Sequence, residues 1–390
     1  MKNVLLYYSF GFALGGGDYL PLAFIAELQK NSNLTVAVDL ARNFERAFEA
    51  FGEGLSIDRS KLKLVQVTPP DYNPKQHSAK TSLYRFRQLK RLARSADVCI
   101  STSSIMDFSK PAHHFINMLA FGDDAFTEYV HGNSRPAGAW TTVKRFLTDS
   151  IIRPTLGLRS KRSIIHDSHQ HIYPNSHYVE EMMTKYYGPF NGTVFYPPTL
   201  FVPNHATSVE RDPLKVVYIG RIIPEKRITE LIYIVEKTRT ATGLPLTFHL
   251  AGRLDQTPKY GEELQAMAGE RDWLKFVGAK YGDEKSRFLM SGSFALHAER
   301  DEAFGIAVAE YLVAGLIPIV PDEGGTLEVV NSPDLAYHTQ DEAARILARL
   351  ISDSNFRDEQ QHHCAERAQF FSRKNYLDRQ GKMLRKILSD

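Results

Sequence analysis

The chain is poor in several residues and patterns that mark particular protein classes. It holds two cysteines in 390 residues, Cys99 and Cys364, and they form no motif. A pair this sparse excludes a disulfide scaffold and suggests a reducing, cytoplasmic compartment. No apolar run approaches the roughly eighteen residues of a membrane span. The apolar opening, MKNVLLYYSFGFALGGGD, is broken by Tyr7, Tyr8 and Ser9, and reads as a first core strand rather than a signal peptide. The net charge is only +3, so no global affinity for nucleic acid follows from it.

What is present is an ordinary globular composition, 43% hydrophobic and 24% charged, over a length that calls for more than one core. The first half alternates short apolar runs with amphipathic stretches. Val4–Tyr8 reads as a strand, Gly15-Gly16-Gly17-Asp18 as a turn and Leu20–Gln29 as a helix, the opening of a doubly wound α/β domain. The glycine spacing is not Gly-x-Gly-x-x-Gly, so no dinucleotide fingerprint is present; Gly15, Gly16 and Gly17 instead let a ligand or a facing domain come close to the backbone. Further strands are expected at Leu34–Val38, Leu62–Val67, Val98–Thr102, Phe115–Leu119 and Val194–Pro198.

Charge is unevenly spread. From Thr81 to Arg162 there are thirteen Lys and Arg against six Asp and Glu. The helix expected over Ser82–Arg94 carries Arg85, Arg87, Lys90, Arg91 and Arg94, and Lys144, Arg145, Arg153, Arg159, Lys161 and Arg162 form a second basic cluster. An ordinary surface helix and an interfacial helix drawn to anionic lipid are the two readings. His166, His169, His171 and His177 lack a Cys or Glu at metal-ligand spacing; they read as polar lining or hydrogen-bonded core, and no metal site is expected. Asp123-Asp124 reads as a solvated turn.

The polar stretch Thr199–Pro213 reads as a linker, after which the α/β rhythm restarts. Strands are expected at Lys215–Ile219, Leu246–Ala251, Leu274–Val277, Phe294–His297 and Leu316–Val320. The first exits through Gly220-Arg221 towards Lys226, placing two cations where open α/β sheets bind ligands; the second exits through Gly252-Arg253. Glu302 and Glu310 then stand eight positions apart, with a helix of small residues between them and Gly315 as its stop. Eight residues of helix span roughly 12 Å, the length of a diphosphate with a sugar at one end and a ribose at the other. A helix N-terminus beside them offers free N–H groups to phosphate.

GRIIPEKR at Gly220–Arg227, the Glu302-x7-Glu310 pair and Glu323-Gly324-Gly325 occur in the order found in the large retaining glycosyltransferase family four, which the chain resembles most sharply over Val216–Val330. The resemblance implies the GT-B fold: two Rossmann-like doubly wound α/β domains facing a central cleft. Residues 1–200 would bind the acceptor, 201–213 link, 214–372 bind the donor, and 373–390 form a helix packing back on the first domain. It further implies that Arg221, Lys226 and Glu302 carry the catalysis, the two cations on the diphosphate and Glu302 on hexose hydroxyls. Gly220, Gly252, Arg253, Ala303, Phe304, Gly305 and Ile306 would complete the donor site, with Glu310 on the ribose and Gly324 and Gly325 admitting the donor. Gly15, Gly16, Gly17, Asn117 and His131 would lie on the acceptor side; His113 and His114 are further candidates there. No metal or cofactor is implied beyond the nucleotide-sugar substrate. The wording FGIAVAEYLVAGLIPIV, with the upstream Tyr-Pro-Pro, is similar to mannosyltransferases of lipid-linked oligosaccharides, which makes GDP-mannose the favoured donor and a glycan, lipid-linked in one version, the acceptor. The expected location is cytoplasmic, with peripheral contact to an anionic membrane as an open alternative. UDP-sugar transfer, a nucleotide-sugar 2-epimerase of the same fold and a non-catalytic sugar-nucleotide-binding protein are the rival readings.

Overall fold

Apolar, β-branched runs bounded by turn residues form twelve strands among the described residues, six in each of two sheets. The computed structural model describes residues 1–9, 18–52, 54–73, 79–102, 104–117, 155, 157–199, 201–203, 209–254 and 257–390. The glycine run at 15–17, Asp123-Asp124, His131, Lys144, Arg145 and Arg153 lie outside the described residues. The chain divides into a unit of Met1–Pro197 with Leu377–Asp390 and a unit of Pro198–Tyr376.

In the first unit β1 (Lys2–Tyr8), β2 (Ser32–Val38), β3 (Lys63–Gln66), β4 (Val98–Ser101), β5 (His113–Ile116) and β6 (His171–Pro174) lie in the order β3-β2-β1-β4-β5-β6. In the second, β7 (Lys215–Ile219), β8 (Thr247–Ala251), β9 (Leu274–Phe276), β10 (Phe294–Leu296), β11 (Ile317–Pro321) and β12 (Ala336–Tyr337) are ordered β12-β11-β10-β7-β8-β9. Read from its other edge, this is the same winding. Every pairing is parallel. Parallel strands covered on both faces need continuous rather than alternating apolar runs. Val4–Tyr8 and Ile317–Pro321 are accordingly buried at every position. In each sheet the order reverses beside the first strand, between β1 and β4 and between β7 and β10, the crevice where open α/β sheets bind ligands.

The helix Ile306–Val313 ends as its sequence asks. Gly315 takes φ +78°, its N–H reaches Leu312 O at 2.9 Å, and Leu316 N reaches Tyr311 O at 2.9 Å. This double closure satisfies the last carbonyls and turns the chain into β11. Ser176 caps the helix His177–Tyr187 by accepting from Val179 N at 3.0 Å. The long C-terminal helical stretch breaks at Ser372 into Ser354–Phe371 and Arg373–Ser389, and Arg385 on the latter reaches Glu27 at 2.8 Å.

Some expectations need correction. Val194–Pro198 is not a strand: only scattered bonds tie this part of the chain to β6, among them Phe195 N to Pro174 O at 2.8 Å, and Pro197-Pro198 has no N–H to extend a ladder. β6 and β12 were not foreseen as strands. The basic helix runs Ala79–Ala93, and it does not present all its cations to solvent. Arg85 points to Asp39 and Lys90 to Asp107, at 2.7 and 2.9 Å.

Candidate functional site

The carboxyl ends of β7 and β10 carry the residues that converge. After Ile219 the chain leaves through Gly220 and Arg221, and the Tyr218 hydroxyl closes that exit by donating to Arg221 O at 2.9 Å. Tyr311, buried on the helix Ile306–Val313, accepts from Ile219 N at 2.9 Å and fixes the strand end to that helix. A Cβ at Gly252 would overlap the Gly220 carbonyl, so this glycine lets the exit of β8 lie against that of β7. Arg221 and Arg253 are exposed at these two exits. A short 3-10 turn, Pro224–Lys226, then sends the Lys226 side chain back towards β10.

Beyond β10 the loop 297–305 supplies the partners. The Lys226 ammonium donates to both Glu299 Oε2 and Glu302 Oε2. His297 is 2% exposed, and among the described residues neither ring nitrogen has a hydrogen-bond partner; its Nε2 lies 3.7 Å from Glu302 Oε2. Arg300, between the two glutamates in sequence, anchors the loop elsewhere, donating to Glu323 Oε1 at 3.0 Å and His338 O at 2.7 Å. The coordinating atoms of His297, Glu299 and Glu302 lie within 4.8 Å of one another. Two of the three, Glu299 and Glu302, accept from the Lys226 ammonium.

The charges shape one another. Burial works against the Lys226 ammonium, but Glu302 and Glu299 outweigh it and lift its pKa above the usual lysine value. Burial and the charge of Glu302 raise Glu299 well above the usual carboxylate range despite Lys226. Burial would raise Glu302 as well, yet Lys226 and His297 hold it below the usual range. The two carboxyls thus titrate as a pair around one ammonium. Burial, and then the Lys226 charge, push His297 down to about 4, so this imidazole is neutral at pH 7.

Glu310 sits on the helix Ile306–Val313, 4% exposed, and Lys285 donates to its Oε1 at 2.6 Å. Glu302 precedes that helix in the loop, so the expected helix between the two carboxylates begins four residues after the first. Gly305, at φ +94°, starts the helix with no side-chain cap, so the cap residue offers no acceptor to the first-turn N–H groups of Ile306, Ala307 and Val308. Ala303 is half-buried, and Phe304 is buried edge-on against Phe371, with ring centroids 5.6 Å apart. Gly324 and Gly325 admit backbone: added Cβ atoms would overlap the carbonyls of Arg300 and Ala303. Gly325 N donates to Glu302 O at 2.7 Å. These glycines set the loop that carries Glu299 and Glu302.

On the first unit, Asn117 donates to Thr102 O at 2.7 Å and its own carbonyl accepts from Asn175 at 3.0 Å, tying three strand exits together. His114 is a satisfied core histidine: its Nδ1 accepts from Met106 N at 3.4 Å and its Nε2 faces Gln170 Oε1 at 3.1 Å. His113 stacks on His171 and meets the Tyr173 hydroxyl at 3.1 Å. Sequence reasoning missed His297, Glu299 and Lys285 as site residues. The first two were discoverable, since they follow a strand beside the switch point and precede Glu302 by five and three positions.

Two doubly wound parallel sheets, with charged groups gathered at a switch point, define the GT-B class of glycosyltransferase folds. Residues 204–370 match the family described as glycosyl transferases group 1. HepE of Anabaena, solved in complex with UDP and glucose, superposes with a TM-score of 0.65 at 14% identity over 100% of both chains, a likeness of fold. Among curated proteins the chain is similar to the GDP-Man:Man(3)GlcNAc(2)-PP-Dol alpha-1,2-mannosyltransferases of Candida glabrata and Eremothecium gossypii. Identity is 29% over 147 residues and 28% over 150 residues, covering 34% and 35% of this chain. The matches span less than a third of those proteins' own length, 29% and 25%.

Proposed function

We propose that the chain transfers a hexose, with retention, from a nucleotide-diphosphate sugar to a glycan or lipid-linked acceptor, with GDP-mannose as the first donor to test. The observation that carries this reading is the placement of Lys226 at the β7–β10 switch point with its ammonium on Glu302, four residues before the uncapped start of the helix Ile306–Val313. Arg221, exposed at the exit of β7, adds a second cation. Phosphate oxygens gain negative charge as the glycosidic bond breaks, and preorganised cations stabilise that charge most in the transition state. In this scheme the anomeric carbon loses its bond to the phosphate oxygen and gains one, on the same face, to the acceptor hydroxyl. The hydroxyl proton passes to the leaving phosphate. Glu302 orients the hexose hydroxyls, and Glu310, held by Lys285, faces the ribose. Lys226, Arg221 and the helix terminus supply the positive charge without a metal.

The donor preference rests on the names of the two fungal relatives; HepE, which binds UDP, supports UDP-sugars as the second choice. Among the described residues no helix is long and apolar enough to cross a membrane. Contact with a lipid-linked acceptor at an anionic cytoplasmic surface would fall to the basic helix Ala79–Ala93.

Thermal-shift screening against GDP, UDP, ADP and their sugars identifies the donor, since a ligand of the folded state raises the unfolding midpoint. Transfer of labelled hexose is then measured for Arg221→Ala, Lys226→Ala and the double variant. Each single change should lower kcat about 10²–10³-fold, on the scale of one lost transition-state donor. Near-wild-type transfer by the double variant refutes the assignment. Conversion of the free sugar nucleotide without an acceptor marks an epimerase, and binding without any turnover marks a non-catalytic protein.

A further inference from the structure

Lys226 is assigned to a diphosphate, yet in this structure its ammonium is already engaged by two carboxylates. With His297 neutral, the local set of Lys226, Glu299 and Glu302 carries a net negative charge, a poor starting point for binding a polyanion. One of the carboxylates has to give way. Glu302 is the more tightly bound of the two: its backbone carbonyl is pinned by Gly325 N, and its carboxylate faces both Lys226 and His297. Among the described residues the Glu299 side chain meets Lys226 and its neighbour Glu302, and beyond them only the charge-sensitive Tyr218 phenol.

We infer that Glu299 competes with the nucleotide diphosphate for Lys226, and so sets donor affinity as a positioning residue rather than a catalytic one. The inference rests on the assignment of Lys226 to the diphosphate. Phosphate oxygens replace the Glu299 carboxylate on the ammonium, while Glu302 stays. The displaced carboxylate either turns to water or takes up a proton. The charged and titratable groups facing it are Glu302 on its own loop, Lys226 from the turn after β7, and the Tyr218 phenol on β7, with His297 behind Glu302 at the end of β10. At low pH a protonated Glu299 is a weak competitor; at high pH the ionised form is a strong one.

The test measures GDP and UDP binding by titration calorimetry for the full-length wild type, Glu299→Gln, Glu299→Asp and Lys226→Ala, at pH 6 and pH 8. Glu299→Gln should bind nucleotide about tenfold more tightly than wild type at pH 8, the scale of one charge-assisted contact, and the ratio should shrink at pH 6. Using the ratio cancels the titration of the nucleotide itself. Glu299→Asp, which keeps the charge on a shorter arm, should fall between the two. Unchanged or weaker binding by both Glu299 variants, with an unshifted unfolding midpoint, overturns the inference while leaving the diphosphate site intact. Undiminished binding by Lys226→Ala overturns the diphosphate assignment itself. A merely structural role for Glu299 would lower the unfolding midpoint and weaken binding equally at both pH values, and that result also overturns the inference.

Discussion

The two units wind their sheets identically but end their strands differently. In the first, the carboxylate of Asp39, just past β2, is satisfied on every side. Arg85 grips it with two bonds of 2.7 and 2.8 Å, Tyr7 donates at 3.0 Å and Ser9 at 2.7 Å. In the second, the carboxylates past β10 share one lysine, and the neighbouring imidazole has no hydrogen-bond partner among the described residues. The strands that flank the first strand of each sheet, β2 on one side of β1 and β10 on the other side of β7, thus end in a closed network in one unit and an open one in the other. A closed network rigidifies a fold; an open one leaves polar atoms for a ligand to satisfy.

The largest effect that would break this contrast is on stability. Asp39→Ala strands a mostly buried guanidinium, and losing one partner of a buried pair costs about 3–5 kcal/mol. Lys226→Ala should cost less, because the Glu299 and Glu302 side chains it leaves behind are 18% and 22% exposed, against 13% for that of Arg85, and Glu299 can turn to solvent. Urea unfolding of both variants measures the difference; equal losses would erase the distinction between the networks.

A second test uses one buried histidine from each unit. His114 and His297 are both lowered to about 4, chiefly by burial, from an ordinary value near 6.5. Between those limits the unfolded chain binds more protons than the folded one. Stability therefore rises with pH across this window, by up to about 1.4 kcal/mol per pH unit for each histidine, and is lost as pH falls. The variants should then diverge. His114→Leu takes the ring nitrogens away from Met106 N and Gln170 Oε1 and should destabilise by about 1–3 kcal/mol. His297→Leu removes two unpartnered nitrogens and should be neutral or stabilising, with a flatter acid limb. A large loss for His297→Leu would show that its nitrogens are satisfied after all.

The contrast also explains what could be read from the residues alone. Continuous apolar runs marked the buried parallel strands, because that periodicity is local. Gly315 and Ser176 announced their helix ends, because a positive φ and a cap are local demands. Lys226 and Glu302 stood out through motif spacing. Glu299, His297 and Lys285 did not, since their roles arise from approaches to residues 73, 71 and 25 positions away along strands and helices whose pairing is a tertiary fact. The glycines Gly324 and Gly325 were noticed for a plausible reason, ligand approach, where the contact in the structure is backbone against backbone.

The smallest expected effect concerns the surface of the first unit. With Arg85 and Lys90 turned inward, the exposed positions of the helix Ala79–Ala93 and its exit are Lys80, Tyr84, Arg87, Arg91 and Arg94. Their spacing of four, three, four and three residues places them on one face. A cationic stripe carrying an exposed tyrosine suits an anionic lipid surface, where each basic residue contributes on the order of 1 kcal/mol at low salt. Replacing Arg87 and Arg91 by Ala should therefore weaken flotation with phosphatidylglycerol vesicles by about 10–30-fold and leave nucleotide binding unchanged. Arg85→Ala acts on the same helix through the Asp39 network, so it should unsettle the fold while barely changing lipid affinity per folded molecule. If the wild type does not float with such vesicles, or floats equally well at high salt, the stripe is an ordinary solvated face and the lipid-linked acceptor loses its structural support.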